Sequence, residues 1–518
     1  MLTSNLGEGI QVQTSQPMKI VVKVNAGVHR DALKILIKED ENTGVSAITG
    51  LDLEEKIGLM YNMRTHGTIV TIRTELPKEN ARIQTITDLL PGANFHEREV
   101  SDLFGVIFEN HPNSKRLVLP ENWPKNLFPL RKDAEIADIE NKLETVTVSD
   151  EDKHLLDGGK LVKIIMGPQH PAFIEPEKFS LEVDGEIVKD VEPRIGYVHR
   201  GVEKAAEKRT YLQDIYLTER ICGICNACHA TCFCQTVEAI MGTQVPPRAK
   251  YLRAIVLELN RIQSHMLLLG HAGFEIGYES LFQYMWRDRE PIMDAMELLS
   301  GNRVIASFIT IGGVRRDIKE ENIAKIKAEL PSLRKRLLFY KDLFETDPTL
   351  KMRTKNVGIL NKQDALRLCV VGPVARGSDL KMDVRKDDPY AAYDEIPFKM
   401  ITYSEGDSWA RLMVRLDEIG ESIEIINYAL DNLPSGSYRV RVPRIVPVGE
   451  ALSRAEAPRG ELFYYVKSNG TAYPERVKVR TPTFANILSF VQIAKGGNIA
   501  DVPASFVSLD PCFSCTDR

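Results

Sequence analysis

The sequence predicts an α+β protein: a small N-terminal α/β domain followed by a larger, mainly helical domain with small sheets. Three observations lead there. β-branched runs alternate with amphipathic stretches over residues 17–110, helix-period patterns dominate the later part, and an acidic segment poor in large apolar residues lies between. At 518 residues the chain also exceeds what one hydrophobic core usually serves.

Residues 1–16 read as an N-terminal tail and 17–132 as the small α/β domain. Within it KIVVKV and GTIVTIRTEL read as strands and HRDALKILIKEDE as a helix; HEREVSDLFGVIF, a Pro/Asn loop and NLFPLRKD close the unit. Residues 133–158 read as an acidic, exposed linker. The second domain, 159–518, opens with the strand-like KLVKIIMG. Between Pro247 and Gly270, Leu252, Ile255, Val256, Leu259, Ile262 and Met266 recur at helical spacing. Pro-Pro precedes this run, and the glycine after it is expected to end the helix. A similar pattern spans Leu412 to Leu430 and stops at DNLPSG, while ELFYYVKS and RVKVRT read as later strands.

Apolar residues at 43% and charged residues at 27% are ordinary for a soluble globular protein. A net charge of −5 argues against a nucleic-acid partner. No apolar run approaches a membrane span, and MLTSNLGEGIQVQ lacks the regions of a signal peptide. A cytoplasmic location is expected, with docking on a membrane complex left open.

Eight cysteines are too few for a disulfide scaffold in a chain of this length, and they cluster. Five lie between Cys222 and Cys234, Cys369 stands alone, and Cys512 and Cys515 lie near the end. Cys222 and Cys225 form one CxxC pair, with His229 four residues on; Cys512 and Cys515 form another. Four thiolates suit zinc, an iron–sulfur cluster, or nickel with low-valent iron. A zinc ribbon usually draws its pairs from one stretch, about 15–20 residues apart, whereas Cys225 and Cys512 are 287 positions apart. A thioredoxin-like disulfide would use one pair and leave the other unexplained.

RICGICNACH and DPCFSCTDR resemble the two cysteine motifs of nickel–iron hydrogenase large subunits. The resemblance implies a nickel–iron centre whose iron carries carbon monoxide and two cyanides. Cys222 and Cys512 would be terminal nickel ligands, and Cys225 and Cys515 would bridge the metals. It gives His229 a hydrogen bond to a bridging sulfur, and Cys228, Cys232, Cys234 and Cys369 no ligand role. GPQHPAFIEPEKFSLEVDGE, YVHRGVEK, VPPRAKYLRAIVLELNRIQSHML, IGGVRRD and EAPRGELFYYV resemble the membrane-bound, energy-converting (group 4) branch, which shares ancestry with respiratory complex I. The first domain resembles complex I's small peripheral-arm subunit through HEREVSDLFGV and PLRKD. A fusion of the two is similar to large subunits of the formate hydrogenlyase type.

The implied reaction is reversible formation and cleavage of dihydrogen. The resemblance makes the Cys512 thiolate the base, assisted by Arg459 in the APRG segment, with Asp510 holding Arg459. Glu175 matches a proton gate, and His170 and Glu177 are candidates for later relay steps. Pro458, Pro482 and Thr483 fall in stretches lining the iron's diatomic ligands. Taken alone, a glutamate before proline is an ordinary turn residue and a loop arginine an ordinary surface charge. Glu258, Arg261 and His265 share one helix face; an ion-pair network is the first reading and coupling to a membrane arm the second. The implied partners are a small subunit with a 4Fe-4S cluster, a ferredoxin-like iron–sulfur subunit and antiporter-like membrane subunits, with a formate or carbon monoxide dehydrogenase, or reduced ferredoxin, as alternative electron sources. The chain itself holds no further cysteine set for a cluster. Its position would be peripheral, on the cytoplasmic side of the membrane. Arg518 stands where many members carry a histidine that helps bind magnesium, which puts magnesium there in doubt. Two other readings compete: a quinone oxidoreductase component like that of complex I, and a scaffold with structural zinc. The quinone-binding homologue lacks the four cysteines and carries a histidine where this chain has Ile174.

Overall fold

The computed structural model describes residues 11–16, 19–143 and 161–518. The N-terminal domain is built on a five-stranded sheet of β1 (Gln11–Gln16), β2 (Lys19–Lys23), β3 (Gly44–Asp52), β4 (Lys56–Thr65) and β5 (Thr68–Pro77), in the order β1-β2-β5-β4-β3. β2 and β5 run parallel, with Lys19 opposite Ile69, and the other pairs are antiparallel. Helix α1 (His29–Glu39) supplies the crossover between β2 and β3, and α2 (Asn94–Phe104) carries the HEREVSDLF run.

One boundary differs from the sequence reading. Residues 11–16, read as tail, form β1, because a short polar strand gains its hydrogen bonds from β2 rather than from any apolar pattern of its own. In the expected linker, α3 (Ile136–Leu143) is helical; the rest of that linker, from residue 144, lies outside the described residues.

β3 is buried along its whole length, which explains its lack of alternation. Val45 and Ile48 join the domain's own core, whereas Ala47 and Leu51, with Met60 and Ile69, pack on Leu452, Phe463 and Tyr465 of the second domain. The two domains therefore meet sheet against sheet. Charged contacts add to this interface: Lys19 Nζ donates to the Leu452 carbonyl at 2.8 Å, and Lys478 pairs with Glu99 at 2.6 Å.

The second domain opens with a three-stranded antiparallel sheet, β6 (Val162–Met166), β7 (Lys178–Asp184) and β8 (Ile187–Arg194). Its body is helical: α4 (Asn226–Met241), α5 (Pro247–Ile276), α6 (Glu279–Ser300), α7 (Glu320–Thr346) and α8 (Ser408–Asp431). α5 has 30 residues and spans about 45 Å at the usual helical rise. It runs straight through Gly270, the residue expected to end it. A Cβ at Gly270 would lie 3.2 Å from the Met285 Cβ, so the missing side chain serves the close packing of α6. The stop comes at Gly277, which is left-handed at φ +91°.

A β meander of β9 (Gly449–Ala457), β10 (Gly460–Ser468) and β11 (Pro474–Arg480) follows, and the short helix α9 (Phe513–Asp517) ends the described chain. β10 has two buried faces: Phe463 and Tyr465 meet the N-terminal sheet, and Tyr464 packs into the helical core. No helix among the described residues is long and apolar enough to cross a membrane.

Candidate metal centre

Both cysteine pairs sit at helix starts. Cys225 caps α4 with Cys222 in the turn before it, and Cys512 caps α9 with Cys515 inside it. Unpaired amides at a helix N-terminus favour a thiolate. α4 lies against β9 and β10, and α9 against the turn of helix Pro482–Asn486, so packing brings the two starts together. The Sγ atoms of Cys222 and Cys512 are 3.3 Å apart and those of Cys225 and Cys515 3.4 Å. Cys222, Cys512 and Cys515 have their sulfurs within 4.8 Å of one another, and so have Cys225, Cys515 and a ring nitrogen of His229. Metal–thiolate bonds of about 2.3 Å allow ligand sulfurs to lie up to about 4.6 Å apart, which matches this spacing.

All four thiols are buried. They cannot all ionise unaided, because each thiolate raises the cost of the next. Hydrogen bonds with Cys222 and then Cys515 pull Cys225 down to about 6, whereas Cys512, bonded to Cys222, is pushed up to about 11. Full deprotonation calls for multivalent positive charge, and four soft donors in a dry pocket fit nickel with low-valent iron as well as zinc or an iron–sulfur cluster.

Arg459 brings a fixed charge to the edge of this cluster. It lies in the Pro458-Arg459 turn between β9 and β10, where Gly460, at φ +126°, packs on Gly372 so tightly that a Cβ would sit 2.7 Å from its amide nitrogen. The Arg459 guanidinium meets the Asp510 carboxylate at 2.6 Å, donates from Nε to the Asp510 carbonyl at 2.8 Å, and reaches the Ser264 hydroxyl at 3.2 Å. Burial works against its charge, but Asp510 and then the Cys512 thiolate keep it protonated. Burial pushes the Asp510 carboxyl up to about 6 despite Arg459.

His229 points Nε2 at the Cys515 sulfur, 3.5 Å away, and Nδ1 at the Tyr464 hydroxyl, 2.7 Å away. Burial lowers its pKa to about 4, so the ring is neutral at pH 7. Thr483 Oγ1 accepts the Cys512 amide at 3.2 Å, and Pro482 starts the same short helix. Glu175 is half-buried and reaches Ser514, between the two cysteines: one oxygen accepts the Ser514 amide at 2.6 Å and the other bonds its hydroxyl. Burial, and then the Cys512 thiolate, raise its pKa. Glu177 is fully buried beside Asp517; burial and that neighbouring charge push it up to about 11, so it is a neutral acid.

Other sequence candidates lie elsewhere. His170 accepts the Ala172 amide at 3.2 Å within its own loop and packs on Phe173. Glu258 takes part in a buried network with Arg261 (3.2 Å), Arg385 (3.1 Å) and the hydroxyls of Tyr393 and Ser422. His265 pairs with Glu418 at 2.9 Å. Cys228, Cys232 and Cys234 are buried thiols raised by desolvation, and Cys369 accepts the Val45 amide of the N-terminal sheet. Sequence reasoning passed over Tyr464, Ser264, Ser514 and Thr481, whose hydroxyl donates to the Cys515 carbonyl at 2.8 Å. Each looks like an ordinary strand or helix residue, and no local pattern marks it.

Comparison with known proteins adds three family matches. Residues 22–140 match "Respiratory-chain NADH dehydrogenase, 30 Kd subunit", residues 275–447 and 443–518 match "Respiratory-chain NADH dehydrogenase, 49 Kd subunit", and residues 200–271 match "Nickel-dependent hydrogenase". The chain is 34% identical to an NADH-quinone oxidoreductase component of Phocaeicola vulgatus, covering 99% of this chain and 100% of that one. It is 36% identical to formate hydrogenlyase subunit 5 of Escherichia coli, covering 87% and 79%. Among solved structures, a chain from the membrane-bound sulfane sulfur reductase, an archaeal respiratory membrane complex, superposes with a TM-score of 0.67 at 33% identity, covering 70% of this chain and 100% of that one.

Proposed function

The chain belongs to the family that joins a complex I 30 kDa-type module to a 49 kDa-type, nickel-dependent hydrogenase large subunit, and from that membership we propose that it is the catalytic subunit of a group 4, membrane-associated nickel–iron hydrogenase. One observation carries the reading. Two cysteine pairs from opposite ends of the second domain close on each other at 3.3 and 3.4 Å beside a buried guanidinium. Kinship with quinone-reducing proteins is equally plain from the full-length match, but quinone chemistry asks for no four-thiol pocket. By the resemblance, Ile174 stands where that branch has its histidine, and its side chain is 56% exposed.

In this reading Cys222, Cys225, Cys512 and Cys515 would hold a nickel–iron centre, with Cys225 and Cys515 serving both metals and the iron carrying carbon monoxide and two cyanides. Pro458, Pro482 and Thr483 would line those diatomic ligands. When bound, the centre supplies the Lewis acidity and the electron pair for 2 H⁺ + 2 e⁻ ⇌ H₂. The protein's own groups handle the proton. Cys512 Sγ is the proton acceptor and donor, 3.8 Å from the Ser514 hydroxyl, which is bonded to Glu175. Glu175, its pKa raised by burial, passes protons between that hydroxyl and the outside. Arg459, fixed by Asp510 and Ser264, offsets the charge of the thiolates. The surrounding apolar core keeps bulk water away from the sulfurs.

Electrons enter and leave through partner subunits: a small subunit with a 4Fe-4S cluster and a ferredoxin-like subunit, docked on antiporter-like membrane subunits that couple the reaction to ion translocation. A formate or carbon monoxide dehydrogenase, or reduced ferredoxin, supplies the electrons for hydrogen formation. The complex sits on the cytoplasmic face of the membrane. Magnesium at the C-terminus is not part of the reading, since the Arg518 cation lies between Glu99 and Glu203 there. Infrared spectroscopy on the anaerobically purified complex, with nickel and zinc measured on the same sample, tests the proposal. Carbonyl and cyanide bands with one nickel per chain are expected. Stoichiometric zinc without such bands would leave the cysteines as a structural staple and end the catalytic claim.

A further inference from the structure

The Tyr464 hydroxyl lies 2.7 Å from His229 Nδ1, inside the core and 235 positions away in sequence. The rings of Tyr464 and His229 also meet edge to face, with centroids 6.0 Å apart, and Tyr464 is fully buried. A neutral imidazole carries its hydrogen on one nitrogen only. If Nδ1 carried it, the phenol hydrogen would lose its acceptor here, at a cost typical of an unmade buried bond. Nε2 would then also present a lone pair to the electron-rich Cys515 sulfur, 3.5 Å away. If Nε2 carries it, both contacts are satisfied: Tyr464 donates to Nδ1, and Nε2–H donates to Cys515 Sγ.

Building on the hydrogenase reading, we infer that Tyr464 is a positioning residue that fixes the His229 tautomer, so that Nε2–H donates to the bridging sulfur of Cys515. β10 is suited to the task. It is clamped between β9 and β11 and has both faces buried, so the hydroxyl cannot swing away from the ring. Phe233, one helical turn beyond His229, packs edge-on against Tyr464 and closes the other side. A hydrogen bond to a bridging thiolate withdraws charge from the sulfur, and such outer partners tune both affinity and reactivity of a metal site.

The test is infrared spectroscopy and nickel analysis on the purified complex of the parent, Tyr464→Phe, His229→Ala and the double variant. Tyr464→Phe removes one oxygen and keeps the ring's packing. We expect it to retain nickel, to shift the carbonyl and cyanide bands in the same direction as His229→Ala, and to lower activity about tenfold. The double variant should show no band shift beyond that of His229→Ala. Unchanged bands in Tyr464→Phe would overturn the inference, as would a shift that adds to that of His229→Ala. Nickel loss in Tyr464→Phe alone would also overturn it, by showing a packing role. A parent sample with zinc and no bands would instead overturn the hydrogenase reading, and this inference with it.

Discussion

Arg518 reaches across the domain boundary to Glu99, 419 positions earlier in the chain, and the two form a buried ion pair. Glu99 lies on α2 of the N-terminal domain, and Arg518 follows directly on α9, the helix carrying Cys515. Lys478 joins the same carboxylate at 2.6 Å, and Glu203 receives Lys478 at 3.3 Å and Arg476 at 2.7 Å. The N-terminal domain thus grips the element that completes the thiol cluster.

Removing one member of such a buried network strands the others. Glu99→Ala leaves Arg518 and Lys478 to share Glu203 alone, and is expected to cost about 3–5 kcal/mol. A lowered midpoint in thermal or denaturant unfolding checks this; a change below about 1 kcal/mol would mean that Glu203 suffices.

Arg459 makes three contacts from one planar head, and an ammonium cannot make them together. Arg459→Lys should lower hydrogen turnover by about 10²-fold while nickel content stays at the parent level. Turnover within threefold of the parent would show that the charge alone is needed.

Proton passage rests on Glu175. Glu175→Gln keeps the shape and the contact with Ser514 but holds no transferable proton. Activity and hydrogen/deuterium exchange should fall about 10²–10⁴-fold, with infrared bands still present. Parent-like exchange would point to another exit.

The thiols outside the two pairs are expected to be inert. Cys228→Ala should retain one nickel per chain, since its buried thiol is raised by desolvation and lies off the cluster's contacts. Cys225→Ser should lose the metal. Metal analysis of both variants decides, and nickel loss in Cys228→Ala would contradict the assignment.

Asp214 gives a pH signature away from the centre. It is fully buried, and burial pushes its carboxyl up to about 8. In the unfolded chain it ionises near the usual value of about 4. The folded state therefore binds a proton that the unfolded state releases, so this group's contribution is fully present below about pH 4. It then falls with rising pH, by about 1.4 kcal/mol per unit, until about pH 8. Asp214→Asn should flatten stability over that window, as read by denaturant unfolding at pH 5 and pH 8. An unchanged slope would place the titration elsewhere.

Local pattern carried much of the architecture. The β-branched and aromatic runs at KIVVKV and ELFYYVKS and the helical spacing from Leu252 to Met266 follow from local residue preference and backbone geometry, which any chain obeys within a few residues. The CxxC spacing likewise set two thiols close together along the chain, and the motifs around them carried the family resemblance. β1 and the passage of α5 through Gly270 were not legible, because one depends on a partner strand and the other on a neighbouring helix. The same holds at the centre. That Cys222 meets Cys512, that Cys225 meets Cys515, that Tyr464 faces His229 and that Glu99 holds Arg518 are decisions of tertiary packing. Each joins residues more than two hundred positions apart, and local periodicity sets which side of an element a residue occupies, not what packs against it.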